Sequence, residues 1–123
     1  MQELLIDSTI IIEYLKNGSG ILSKIMDSYK LNISLVTYTE LLATKRASNG
    51  NVNRQIRDFI SEHFELKSVT TEIASRAGDI LRDLDITLAH AYIAATAIEY
   101  DYPLLTYDIK TFDQVPELKL VEI

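Results

Sequence analysis

Residues 88–112 read LAHAYIAATAIEYDYPLLTYDIKTF, and the spacing predicts a buried helix, a turn, a brief strand and an acid just past it. Over roughly Leu88 to Tyr100, the apolar residues Ala89, Ala91, Ile93, Ala94, Ala95, Ala97 and Ile98 fall on nearly every helical face. A helix apolar all round is buried on more than one side. Asp101-Tyr102-Pro103 must end it, because proline lacks an N–H and disfavours helix in the residue before it. Leu104-Leu105-Thr106 then suits a short buried strand, with Asp108 just beyond its carboxyl end.

Upstream, the chain alternates between short strands and helices. Leu4–Ile6 is too brief an apolar run for a helix and fits a buried strand; Asp7-Ser8 closes it and can cap a helix from Thr9 to Lys16. A helix from Ser19 or Gly20 to Tyr29, a strand over Leu31–Leu35 and a helix from Thr37 to Ala47 follow. Ser48–Asn51 is the clearest turn in the chain. Next come an amphipathic helix over Val52–His63, a weaker strand over Glu65–Val69 and a helix from Thr70 to Arg82. Downstream of Asp108, a helical turn to Phe112 precedes a last strand, Leu118–Glu122. Such alternation implies parallel pairing through right-handed crossovers. The expected fold is a three-layer α/β/α sandwich with a central, mainly parallel sheet, as one domain over residues 1–123.

Composition limits the function classes. The chain has no cysteine, which removes disulfides and thiolate metal sites. No apolar run reaches membrane-spanning length and no signal-peptide layout opens the chain, so a cytoplasmic protein is expected. A net charge of −6 argues against gripping nucleic acid over the whole surface. The charge is uneven, however. Residues 44–57 carry Lys45, Arg46, Arg54 and Arg57 and no acid, leaving −10 elsewhere. That stretch is either a place where a polyanion approaches or simply a solvated helical surface.

Three acids follow expected strands: Asp7, Glu40 and Asp108. In a parallel sheet all carboxyl ends lie on one edge, where ligands bind. Each acid also has a purely structural reading. Asp7 and Asp108 are placed to cap helices, and Thr37-x-x-Glu40 matches a capping box. Brought together, however, carboxylates about 4 Å apart repel by roughly 4 kcal/mol at an effective dielectric near 20, so a cluster calls for a cation. Oxygen donors suit Mg²⁺ or Mn²⁺, and a metal so held supports phosphodiester hydrolysis.

The segments LLIDSTIIIEYL, SLVTYTELL, AHAYIAATAIEY and LLTYDIKTF, in that order, resemble PIN domains, in particular the VapC-type toxins of toxin–antitoxin pairs. The resemblance implies an α/β/α fold and an Mg²⁺- or Mn²⁺-dependent endoribonuclease. It also implies a homodimer and a small antitoxin partner that silences it. It places metal-binding acids at Asp7, Glu40 and Asp108, with the Ser8 and Thr106 hydroxyls lining the site. Lys45, Arg46, Arg54 and Arg57 become candidates for RNA backbone contacts.

One position departs from the family pattern: His90 stands where an aspartate is usual. Three readings stay open for it. A neutral imidazole is a metal ligand better suited to Mn²⁺ or Zn²⁺ than to Mg²⁺. A protonated one replaces a metal's charge, leaving a PIN-fold module that binds RNA or a protein without cutting. A packed or capping histidine has no role at the site. His63 is expected at a helix end on the surface, and no nucleophilic triad is evident.

Overall fold

The computed structural model describes residues 1–122. Four strands, β1 (Glu3–Ile6), β2 (Lys30–Ser34), β3 (Glu65–Lys67) and β4 (Leu104–Leu105), form one sheet in the order β3-β2-β1-β4. Every pairing is parallel, with Leu4 opposite Leu31, Leu5 opposite Leu104 and Ile33 opposite Leu66. Among the described residues six helices connect them, α1 (Ser8–Asn17), α2 (Ile21–Ile25), α3 (Leu35–Leu42), α4 (Gly50–His63), α5 (Thr71–Asp83) and α6 (Leu88–Tyr100), and α7 (Ile109–Phe112) follows the last strand. A 3₁₀ turn, Lys45–Ser48, separates α3 from α4.

The layering follows from where the chain goes after each strand. From β1 it moves outward to β2 and then β3 through α1–α4. It then returns through α5 and α6 to β4, on the other side of β1. Right-handed crossovers travelling in opposite directions must cover opposite faces. Alternate β1 side chains divide accordingly. Leu4 and Ile6 pack with Ile10, Ile33, Leu41 and Ile60 on one face, whereas Leu5 packs with Ala77, Ala91, Ala94 and Phe112 on the other. This is the three-layer α/β/α sandwich expected.

Helix α6 spans the residues expected for it. The Thr87 side chain accepts the His90 N–H at its start, and Asp101 ends it in the left-handed conformation at φ 56°. Ala91, Ile93, Ala94, Ala95 and Ala97 are buried, and the helix lies chiefly against α5 while reaching α3 and β2.

Three expectations are corrected. Helix α3 begins at Leu35 rather than Thr37, because Ser34 caps it by accepting the Val36 N–H at 3.1 Å; Thr37 is inside the helix and buried. The expected turn around Ser48–Asn51 is instead a cap, with Asn49 accepting the Asn51 and Val52 N–H groups to start α4. The last strand reduces to a single parallel bridge from Leu120 to Leu104, since β4 is only two residues long and offers little to pair with.

Candidate active site at the carboxyl edge of the sheet

Asp7 leaves the end of β1 and is 3% exposed. It caps α1 as its position suggested: Oδ1 accepts the Ser8 N–H at 2.9 Å. Its other oxygen does more, accepting the Thr9 hydroxyl at 3.3 Å and the buried Thr106 hydroxyl at 2.6 Å. Thr106 in turn accepts the Asp108 N–H at 3.0 Å. One hydroxyl thus joins the end of β1 to the segment that follows β4. The backbone reinforces it through the Asp7 N–H, which donates to the Leu105 carbonyl at 3.0 Å.

Asp108 caps α7, with Oδ1 accepting the Thr111 N–H at 3.4 Å. Its Oδ2 stands 3.5 Å from His90 Nε2. The His90 ring packs edge-on against Phe112, centroids 5.2 Å apart at 80°, so buried aromatic packing orients it toward Asp108.

Glu40 comes from the second turn of α3. With Ser34 supplying the cap, the expected capping box with Thr37 does not form, and the carboxylate is free of that duty. Its Oε1 is buried and has no hydrogen-bond partner, an arrangement that ordinarily costs about 1–3 kcal/mol. Burial pushes the Glu40 carboxyl above its ordinary range, and the charge of Asp7 adds to that; His90 and the Ser8 hydroxyl pull the other way. That coupling puts Glu40 in the electrostatic neighbourhood of Asp7, Ser8 and His90.

Asp7, Ser8, Glu40, His90, Thr106 and Asp108, scattered over a hundred residues, are therefore neighbours. Among the described residues, no three Asp, Glu, His or Cys side chains share one ligating point. They stand as Asp7 with Glu40 and His90 with Asp108. Mg²⁺, which keeps several waters and uses one or two carboxylates, does not require a closed cage. The unpartnered Glu40 oxygen and the all-oxygen carboxylate set fit a hard divalent cation.

The four basic candidates sit elsewhere. Lys45 and Arg46 edge a groove of about 310 Å³ floored by Ile12, Leu15, Leu41, Val52 and Ile56. Arg57 bonds to Asn53 and to the Tyr38 hydroxyl, and Arg54 is exposed. Sequence reasoning missed that groove. It also missed Tyr107, between Thr106 and Asp108, whose phenol donates to Glu13 Oε1 at 2.6 Å. Neither carries a sequence signal, because both depend on contacts between separate elements.

The PIN domain family matches residues 4–118. The chain is 33% identical to a "Ribonuclease VapC" of Rickettsia bellii over 98% of its length and 96% of that protein's. Two solved structures are similar in fold. VapBC-1 from nontypeable Haemophilus influenzae superposes with a TM-score of 0.84 at 22% identity, covering 98% of both chains. A toxin–antitoxin complex from Klebsiella pneumoniae gives 0.79 at 25% identity, over 98% of this chain and 99% of that one.

Proposed function

The chain belongs to the PIN domain family, and from that premise we propose that it is a metal-dependent endoribonuclease, the toxin of a toxin–antitoxin pair, acting as a single domain. The similarity to a ribonuclease and the fold shared with toxin–antitoxin complexes support this reading. One observation carries the chemistry: a buried, unpartnered Glu40 oxygen beside Asp7 at the carboxyl edge of a parallel sheet.

Asp7, Glu40 and Asp108 would hold Mg²⁺ or Mn²⁺. The cation supplies Lewis-acid polarisation of the phosphodiester and acidifies water. Thr106 and Ser8 fix Asp7 by donating to it, so the carboxylate does not reorganise on binding. Glu40 Oε1, lacking a protein donor, is available to orient a water and take its proton. RNA is the substrate, and a small antitoxin protein and a second copy of the chain are its partners.

The test is cleavage of single-stranded RNA with Mg²⁺ or Mn²⁺, with chelator, and in Asp7→Asn. Loss of a ligand that supplies several kcal/mol lowers the rate by about a hundredfold or more. Cleavage that survives chelation or that substitution overturns the proposal.

A second reading is favoured by the 3.5 Å approach of His90 to Asp108: the imidazole engages that carboxylate in place of a metal. The protein then binds RNA without cutting it, and His90→Asp restores turnover.

A further inference from the structure

Tyr107 lies between Thr106, the partner of Asp7, and Asp108, the partner of His90. Tyr107 is 47% exposed, whereas the other six tyrosines are all partly buried. It is also tethered. The phenol donates at 2.6 Å to Glu13 Oε1, from the exposed side of α1. Gly20 gives the Glu13 carboxylate its room: a Cβ at that position would lie 2.1 Å from Glu13 Oε1. Gly20 adopts φ +131°, a conformation open to glycine. The α1–α2 connection is thus shaped to let Glu13 hold the phenol of a ring that remains half exposed.

A fixed, exposed aromatic face next to acids points to a particular ligand chemistry. Glu13 holds the phenol and Asp108 is the next residue in the chain, so phosphates gain nothing there. A neutral π-face, in contrast, binds any unpaired base by stacking, at about 1–3 kcal/mol per base. Holding the ring in place beforehand removes much of the ordering cost. Resting on the ribonuclease reading, we propose that Tyr107 is the stacking platform for one unpaired nucleobase of the RNA, beside the bond to be cut, with Glu13 as its positioning residue. Sequence preference at that nucleotide comes from stacking strength, not from hydrogen bonds.

The experiment uses the full chain in EDTA and short single-stranded RNAs carrying 2-aminopurine at successive positions. Stacking on tyrosine quenches the fluorophore. At one position wild type should quench it strongly; Tyr107→Phe and Glu13→Ala, which keep the ring but lose the tether, should retain the quench with weaker binding, and Tyr107→Ala should abolish it and weaken binding roughly 5- to 150-fold. An abasic nucleotide at the same position should weaken wild-type binding by a similar factor, an arm that needs no variant to fold. Quenching at no position, quenching that persists in Tyr107→Ala, or no binding of RNA at all overturns the proposal. Cleavage of the same RNAs by wild type with Mn²⁺ separates the two readings. RNA cut with Tyr107-independent binding removes the platform alone. Tyr107-dependent quenching without cleavage removes the ribonuclease reading and keeps the platform.

Discussion

The Thr106 hydroxyl donates to Asp7 Oδ2 at 2.6 Å across 99 positions of sequence. Both groups are buried, and the same hydroxyl accepts the Asp108 N–H. This oxygen, together with the backbone bond from Asp7 N–H to the Leu105 carbonyl, links two of the acids. Thr106→Val removes the hydroxyl at nearly constant shape and leaves a buried carboxylate oxygen and an N–H short of a partner. The expected cost is about 1–3 kcal/mol, read from the urea midpoint, with Thr106→Ser recovering most of it. A valine variant as stable as wild type would show that the link is not what holds the edge together.

Glu40 makes stability depend on pH in a stated direction. Its folded pKa is raised, by burial first and by Asp7 second, so the fold favours the protonated form. Its contribution is complete below the unfolded carboxylate range near 4.5 and is lost as pH rises through the higher folded value. In chelator at neutral pH, Glu40→Gln therefore melts above wild type, and the gap closes on acidification. Divalent metal should raise the melting temperature of wild type more than that of the variant. Parallel melting curves at every pH would contradict this account.

Replacing the imidazole tests what His90 contributes. His90→Asp sets a second carboxylate against Asp108, where His90 Nε2 now stands 3.5 Å away. The aspartate is about 2 Å shorter than the imidazole, and like charges about 5–6 Å apart repel by about 3 kcal/mol at an effective dielectric near 20; a divalent cation between them reverses the sign. Calorimetric titration should find Mg²⁺ and Mn²⁺ bound at least about tenfold more tightly, with lower stability in chelator. Equal affinity in the two proteins would mean that His90 lies outside the metal's reach.

The basic stretch is tested by salt. If Lys45 and Arg54 contact phosphates, the plot of log affinity against log salt flattens by about 0.7 for each removed by alanine, the value for single strands. An unchanged slope assigns these side chains to the solvated surface. Lys45 would then matter only as an edge of the groove over Leu41 and Ile56.

Much of the fold was legible because its determinants are local. Helix α6 shows its limits through apolar spacing and Asp101-Tyr102-Pro103 after it, while its Thr87 cap emerged only in the structure. The strand–acid junctions at Asp7 and Asp108 were visible because strand and cap signals adjoin in sequence. Less legible was any element whose extent depends on a remote partner. Leu118–Glu122 alternates well enough for a strand, but β4 gives it one residue to bridge. At α3 two capping signals competed within three residues, and Ser34 prevailed over Thr37, which altered what Glu40 is free to do.

By itself the sequence determined the alternation of strands and helices, the burial of α6 and the presence of acids after strands, since periodicity and caps act within a few residues. Tertiary structure alone decided that Asp7 meets Thr106, that His90 faces Asp108 and that Glu13 holds Tyr107. Those meetings depend on strand order and on the direction each side chain takes from its backbone, and neither is encoded within a short window of chain.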